Sequence, residues 1–244
     1  MLSKRLASFF SGGGPDFSKL TENDCGVGKY RIGYKLPGSA IDLNRRKEPF
    51  LSCVNLQLDL FNSYLQEDYN RQCVRVGFEW WAYRGPFFQG YFGLLGKLSM
   101  YIDVNRTNFE SQVKQDDLQS LADYLKKDYW DYYEGDKGVN WESRQEFKDD
   151  IFTNGDTPSQ YLVKLPDEYR VERINDIDWL TYSLVGEGTT GSHASFYWGY
   201  PISPNYYITV GFRARPELGK KTIRLARMLA DAKKIMSMVE LRKE

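Results

Sequence analysis

The sequence predicts an α+β fold in which antiparallel meander sheets are packed by a long C-terminal helix and one or two mid-chain helices. Three observations predict it. Four segments with strand character precede the first helical pattern; helical periodicity fills one mid-chain stretch before strands return; and an amphipathic helical pattern closes the chain. No internal repeat divides the chain. We therefore expect a flexible lead-in over 1–24 and a single domain over 25–244.

The first half of the chain predicts four strands. Alternating polarity predicts one strand over 29–36, which ends at Pro37-Gly38, and another over 53–61. One side of the second strand is polar and is expected to face solvent, which favours antiparallel pairing. A long hairpin is predicted over 73–106 with GPFFQG as its turn. In its first strand, Val74, Val76, Phe78, Trp80 and Ala82 are predicted to face the core, and Arg75, Gly77, Glu79, Trp81 and Tyr83 the opposite side.

The helices and the remaining strands follow from periodicity. An apolar stripe at helical spacing predicts a helix that Gly135 ends, and a shorter helix is predicted over 139–152; the stripe comprises Leu118, Leu121, Ala122, Leu125 and Tyr129. Strands are predicted over 160–165, 169–174, 178–185, 195–200 and 206–212. The last helix is predicted over 216–241, with a solvent side formed by Lys220, Arg224, Arg227, Asp231 and Lys234.

The composition fits a folded protein without a global charge bias. The 244 residues are 41% hydrophobic and 16% aromatic, which is too apolar for intrinsic disorder. Basic and acidic residues number 33 each, so we expect no general attraction to nucleic acid or to anionic membranes. Locally, 116–150 has 11 acidic and 5 basic residues, a net of −6, and 213–243 has 10 basic and 3 acidic, a net of +7. Either these segments neutralise each other or one faces a charged partner.

The cysteines, the single histidine and the short apolar runs limit which compartment and which metal sites we expect. Cys25, Cys53 and Cys73 are widely spaced and His193 is the only histidine, so a zinc site lacks ligands. Reduced thiols are expected, with one disulfide as the alternative if the protein is exported. The apolar run 6–10 is too short for a signal-peptide core, and no segment reaches the ~20 apolar residues of a membrane span. We expect a soluble cytoplasmic protein, periplasmic only if a longer precursor exists.

The sequence predicts no catalytic residue, metal site or cofactor. Ser192, His193 and Ser195 are neighbours in sequence, which does not supply the geometry of a catalytic triad. The glycines of 186–191, GEGTTG, match neither a Walker nor a dinucleotide fingerprint. Asp116 and Asp117 could be imagined as metal ligands, but acids at a helix start need no ion.

Two aromatic clusters are the predicted partner-binding residues. Exposed rings beside an arginine are typical of protein–protein hot spots, and rings among carboxylates could engage a basic partner. At the hairpin tip these residues are Trp81, Tyr83, Arg84, Phe87, Phe88 and Tyr91, and at the end of the first helix they are Asp128, Trp130, Asp131, Tyr133 and Glu134. The alternatives are that the phenylalanines fold back to cap the core and that the second cluster simply closes a helix end.

The stretch Asp24–Tyr30, DCGVGKY, followed by a strand that ends at Leu36-Pro37, resembles the opening of the Tli4-type immunity proteins of bacterial type VI secretion. A final strand followed by a long closing helix is similar to those proteins and to the Mog1/PsbP-like α/β sandwich. The resemblance covers the two ends of the chain. It implies an immunity protein that blocks a cognate toxin by direct contact, although exported members carry a signal peptide that is not seen here.

The leading hypothesis is therefore a bacterial protein that binds one partner protein, a toxin or effector, and neutralises it by occlusion without turnover. The alternative is a small-molecule or lipid-binding module with an aromatic-lined pocket. An enzyme that uses His193 is the third. A protein partner predicts an exposed Phe87/Phe88 tip, a ligand carrier predicts a cavity between hairpin and helix, and an enzyme predicts a carboxylate near His193. The partner's identity and the oligomeric state are left open.

Overall fold

The computed structural model describes residues 13–39, 51–56, 61, 65–66, 71–84, 94–107, 113–186, 193–217 and 221–244. Within these residues the chain forms two sheets and three α-helices, which confirms the predicted α+β class. The strands are β1 (Pro15–Val27), β2 (Tyr30–Ser39), β3 (Cys53–Val54), β4 (Leu65–Gln66), β5 (Arg71–Arg84), β6 (Leu94–Arg106), β7 (Arg170–Ile174), β8 (Ile177–Val185), β9 (Ala194–Ser203), β10 (Tyr206–Pro216) and β11 (Val239–Lys243). The helices are α1 (Leu118–Tyr133), α2 (Val139–Phe147) and α3 (Lys221–Met236), with a 3-10 helix at Ser159–Tyr161.

The larger sheet is antiparallel throughout, with the strand order β4-β5-β6-β10-β9-β8-β7. Strands β7 to β10 form a meander, whereas the four strands predicted before the first helix are divided between the two sheets. The central hairpin, β5 and β6, joins this meander through β10, which pairs with β6 from Arg106↔Tyr206 to Gly96↔Pro216. The smaller sheet has the order β11-β2-β1-β3, in which only the β1–β3 pair is parallel.

Helices and the smaller sheet cover the two faces of the larger sheet. On one face the smaller sheet and α3 bury a core that includes Ile32 of β2, Ile102 of β6 and Ile235 of α3. On the other face α1 packs its apolar stripe on β8 and β9, and Leu125 and Leu184 both belong to this second core. Each fully buried aliphatic side chain of this size contributes about 1.5–3 kcal/mol relative to exposure.

A β-bulge in β5 reverses the predicted faces of this strand beyond residue 76, whereas Val74 and Val76 are buried as predicted. Between 75 and 77, one residue of β5 has no partner in β6. Because side chains alternate with a period of two, one extra residue exchanges the faces of everything that follows. Trp81 and Tyr83, predicted to face outward, are therefore completely buried, whereas Phe78 and Trp80, predicted to face the core, are partly exposed on the other side.

The predicted lead-in is wrong for residues 15–24, because β1 begins at Pro15. This strand pairs with β2 from Pro15↔Ser39 to Val27↔Tyr30, with a register shift between Asp16 and Leu20. Its middle, Ser18–Glu22, is exposed, so from Leu20 onward the pairing with β2 orders this part without burial of side chains. Such a strand shows no apolar alternation by which periodicity could detect it.

Two other predicted strands are shorter than expected or absent. The strand predicted over 53–61 is confirmed only at Cys53–Val54, and it pairs in parallel with β1 where antiparallel pairing was expected. Residues 57–60 lie outside the described part of the chain. The strand predicted over 160–165 is replaced by the 3-10 helix and one isolated bridge between Lys164 and Val185.

The predicted helix boundaries also differ at their C-terminal ends. Helix α2 ends at Phe147, five residues earlier than predicted. Helix α3 ends at Met236, after which the chain returns to the smaller sheet as β11. The predicted solvent side of α3 is partly buried, since Arg224 and Asp231 are each 4% exposed. Arg224 donates from Nη1 to the carbonyl oxygen of Leu95 at 3.1 Å, which ties α3 to β6.

Candidate partner-binding site

The first predicted cluster does not form an exposed surface where the structure describes it. Trp81 and Tyr83 are 0% exposed, which contradicts their assignment to a docking surface. The Nε1 of Trp81 donates to the carbonyl oxygen of Pro37 at 2.9 Å, so this ring joins the two sheets. Arg84 is partly buried at the end of β5. The other predicted tip residues, Phe87, Phe88 and Tyr91, lie outside the described residues.

The face of the hairpin that the bulge turns outward carries rings covered by cations. The Nζ of Lys97 lies 4.5 Å from the centroid of the Trp80 ring. The guanidinium of Arg75 lies 4.5 Å from the centroid of Tyr101 and also forms a bidentate ion pair with Asp103, at 2.8 and 3.1 Å. Cation–π contacts of this kind contribute about 0.5–1 kcal/mol at exposed sites. The cationic side chains thus shield these rings from water.

The second predicted cluster, at the end of α1, divides between core and surface. Tyr133 is 2% exposed and belongs to the core beneath α1, so its assignment to the surface is wrong. Asp128 is partly buried and accepts a hydrogen bond from the hydroxyl of Tyr124 at 3.3 Å. Trp130 is 58% exposed and Asp131 is exposed as well. These two side chains are placed where a partner can reach them.

Glu134 holds α1 to α2 and is not free to meet a partner. Its carboxylate accepts two hydrogen bonds from the guanidinium of Arg144, at 2.6 and 3.1 Å, and one from Nδ2 of Asn140 at 2.7 Å. The bonds from Arg144 lower the pKa of Glu134. Asn140 is completely buried and pairs through its amide with both backbone groups of Val163, at 2.8 and 2.7 Å. The Asn140 amide thereby forms the two hydrogen bonds that the backbone of a neighbouring strand would form with Val163.

Trp130 forms one wall of an open groove between α1 and the segment 165–169. The groove has a volume of about 650 Å³. Its aromatic and apolar lining comprises Tyr129, Trp130, Leu165, Pro166 and Tyr169, and its charged rim comprises Asp123, Lys126, Lys127, Asp167 and Glu168. An apolar centre with a charged rim is the usual anatomy of a protein–protein interface. We call these ten residues the Trp130 groove.

Packed tyrosine rings lie behind Tyr129 and Tyr169, two residues that line the Trp130 groove. The Tyr169 and Tyr182 rings are tilted against each other with centroids 5.3 Å apart, and Tyr182 stacks on Tyr197 at 5.0 Å. The hydroxyls of Tyr129 and Tyr182 are 3.2 Å apart and share a hydrogen bond. Complete burial raises the pKa of Tyr182 well above its ordinary value, so it stays a neutral phenol. The groove is therefore formed before any partner binds.

Asp116 and Asp117 have structural roles. Asp117 caps α1, since its carboxylate accepts from the backbone N–H of Ser120 at 3.1 Å, as expected for an acid at a helix start. Asp116 accepts hydrogen bonds from the hydroxyls of Tyr30 and Tyr200 and from Nζ of Lys243. These bonds join both sheets to the segment before α1. Within the described ranges, no group of three or more His, Cys, Asp or Glu side chains could hold a metal ion.

His193 immediately precedes β9 and Ser195 lies at its start, and both are buried, at 7% and 1% exposure. The carbonyl oxygen of His193 accepts from the backbone N–H of Gly186 at 2.8 Å. Ser192 and most of the GEGTTG stretch lie outside the described residues. Where it is described, this segment is packed into the fold.

Comparisons of the chain with protein-family models, with curated proteins and with solved structures found no significant match. The resemblance to type VI secretion immunity proteins therefore stays a prediction. In the part of the chain that the structure describes, no helix combines the length and the apolar character that crossing a bilayer requires. The case for a function consequently rests on the surface around Trp130.

Proposed function

We propose that this protein binds a partner protein and acts as an immunity protein, which neutralises a toxin or effector by covering it. The observation that carries the proposal is the Trp130 side chain, which is 58% exposed at the wall of a preformed aromatic groove. Tryptophan is the residue most enriched at interface hot spots, because burying its large ring removes much apolar surface from water. The proposed chemistry is occlusion, without turnover of a substrate.

Charge around the groove supports recognition of a basic partner. Segment 116–150 carries a net of −6, and it contains the exposed residues Asp123 and Asp131 next to Trp130. Opposite charge chiefly accelerates encounter and excludes wrong partners, while the buried ring supplies most of the affinity. Lys126 and Lys127 on the rim give the groove both signs, which favours one orientation of the partner over others.

The test uses the product of the gene immediately upstream, produced in a bacterial host with and without this protein. Wild type is expected to restore growth and to bind the purified product. Trp130→Ala is expected to weaken binding about 30-fold, the cost of a hot spot of about 2 kcal/mol. Trp141→Ala, at a tryptophan of α2 outside the groove that is 37% exposed, is the matched control. If the wild-type protein neither restores growth of the host nor binds the purified product, the proposal is refuted.

The volume of the groove favours a second candidate, a small-molecule or lipid-binding module. About 650 Å³ lies within the ~300–1,000 Å³ range of ligand sites, and its lining is largely aromatic and apolar. A fluorescent fatty acid titrated into the protein tests this directly. Saturable binding that Trp130→Ala abolishes would favour the ligand module, whereas an absence of binding would favour the protein partner.

A further inference from the structure

Two neighbouring apolar side chains stand in solvent at the turn that follows α2. Ile151 is 87% exposed and Phe152 is 98% exposed. Leaving side chains of this size in water forgoes about 1.5–3 kcal/mol each. An isolated exposed apolar residue is ordinary, but an adjacent pair at the point of a turn is not. We call Ile151 and Phe152 the apolar tip.

The turn that carries the apolar tip is well ordered by its own hydrogen bonds. The carboxylate of Asp150 accepts from the backbone N–H of Phe152 at 2.8 Å, and its carbonyl oxygen accepts from Gly155 at 3.1 Å. Gly155 has φ +80°, and a Cβ there would lie 2.9 Å from the carbonyl oxygen of Lys148. The turn therefore strongly favours glycine at position 155, and the bond from the N–H of Phe152 to Asp150 holds the backbone of Phe152.

We propose that the apolar tip inserts into an apolar pocket of the partner protein, and that Lys or Arg side chains rim this pocket. The inference rests on the proposed function and names the chemistry of the partner surface. Because the turn already fixes Phe152, insertion loses little backbone freedom. A ring buried in a pocket and surrounded by charges that exclude water has the anatomy of a hot spot.

The charges beside the apolar tip indicate whether it binds a protein or a lipid bilayer. Segment 146–156 contains four acids and Lys148, a net of −3, and the acids are Glu146, Asp149, Asp150 and Asp156. Anionic lipid surfaces attract basic segments and repel acidic ones. A pocket rimmed by cations on a protein attracts the same acids and orients the tip. A protein pocket is therefore the occupant that the charges fit.

The test measures binding of the purified upstream gene product to wild type, Phe152→Ser and Asp149→Asn. Phe152→Ser is expected to weaken binding at least 10-fold with an unchanged melting temperature, because the ring makes almost no contact within the chain. Asp149→Asn is expected to slow association and to reduce its dependence on salt. Ile223→Ser, at a half-exposed isoleucine of α3 on the other side of the larger sheet, is the control with unchanged affinity.

Each other outcome counts against the inference. If wild type binds and Phe152→Ser binds equally well, the tip is not an anchor, and the proposed function still stands. If wild type does not bind the upstream product, the proposed function falls and the inference falls with it. If wild type binds phosphatidylcholine–phosphatidylglycerol vesicles and Phe152→Ser does not, the tip is assigned to a membrane. If wild type self-associates in sedimentation and Phe152→Ser does not, the tip is assigned to a second copy of the chain.

Discussion

The hydroxyl of Tyr83 donates a hydrogen bond of 2.8 Å to Oδ2 of Asp231, in the buried interface between β5 and α3. The same oxygen accepts from Nε of Arg227 at 3.1 Å. Burial raises the pKa of Asp231 above its ordinary value, although both bonds favour the carboxylate. The β-bulge in β5 brings this contact about, because it turns Tyr83 toward the core. A local irregularity of one strand thus fixes the position of a helix.

Tyr83→Phe is expected to destabilise the protein by about 1–3 kcal/mol, because it leaves a buried carboxylate with one donor fewer. Urea unfolding followed by far-UV circular dichroism measures the difference. Tyr161→Phe, at a tyrosine that is 49% exposed, is the matched control and is expected to change little. Equal stabilities of Tyr83→Phe and wild type would show that the hydrogen bond contributes nothing.

Asp116→Asn is expected to lower stability at pH 7 and much less in acid. Burial raises the pKa of Asp116, but bonds from Tyr30, Lys243 and Tyr200 outweigh it and leave the pKa below its ordinary value of 3.8. A carboxyl with a depressed pKa contributes stability that is present above 3.8 and is lost as the pH falls through its folded pKa.

Thermal unfolding from pH 2 to pH 7 measures this effect of Asp116→Asn. The gap between wild type and variant should close as the pH falls below 3.8. Asp176→Asn, at a side chain that is 97% exposed, serves as the control. A gap that is the same at every pH would mean that the ionisation of Asp116 plays no part in stability.

Gly96→Ala and Gly33→Ala test how tightly the chain packs around one glycine in each sheet. A Cβ at Gly96 of β6 would lie 2.5 Å from Cε of Met228 and 2.7 Å from the backbone oxygen of Arg215. At Gly33 of β2 nothing lies within 4 Å. Overpacking should cost Gly96→Ala about 1–3 kcal/mol or more. Gly33→Ala should stay within about 0.5 kcal/mol of wild type in the same denaturant titration. Similar losses at both positions would contradict the packing described.

Thiol labelling should distinguish the three cysteines, none of which forms a disulfide. Cys53 is exposed, whereas Cys25 and Cys73 are buried. Burial raises the pKa of the Cys25 thiol to about 11, which removes the reactive thiolate at neutral pH. Ellman's reagent at pH 8 is expected to modify one thiol per native chain and three after unfolding in guanidinium. Rapid reaction of all three thiols in the native protein would be inconsistent with this arrangement.

Elements with strong periodicity could be predicted from the sequence. The stripe of α1 is an example, because Leu121, Leu125 and Tyr129 are all buried as their spacing indicates. The central hairpin was predictable as well, since β5 and β6 pair over nearly their whole length. In both cases the burial of one face selects residue types at a regular interval, and that interval is visible in a single sequence.

Features created by pairing between distant segments could not be predicted in this way. The bulge at 75–77 changes the phase of β5 without any turn residue other than Gly77 to mark it. The mostly exposed first half of β1 depends on its bonds to β2. Strand β11 continues the apolar spacing of α3 through Val239, so the end of the helix at Met236 is hidden in the pattern.

The candidate site was predicted only in part. Trp130 was identified because it is a large ring among carboxylates. The opposite wall of the groove, at Leu165 and Tyr169, comes from a segment more than thirty residues later, and nothing in its sequence connects it to α1. The apolar tip was assigned to the end of the helix predicted over 139–152, whereas the structure places it in the turn that follows α2.

The pairing of β6 with β10 sets the order of events in folding. Residue 106 pairs with residue 206, so the middle of the larger sheet stays open until the meander that follows it has formed. Contacts of such high sequence separation slow folding. Until β10 pairs with it, the edge of β6 can pair with a strand of another chain. Helices α1 and α2, whose backbone hydrogen bonds are local, can form in the meantime. Refolding is therefore expected to be slow and to favour aggregation at high protein concentration.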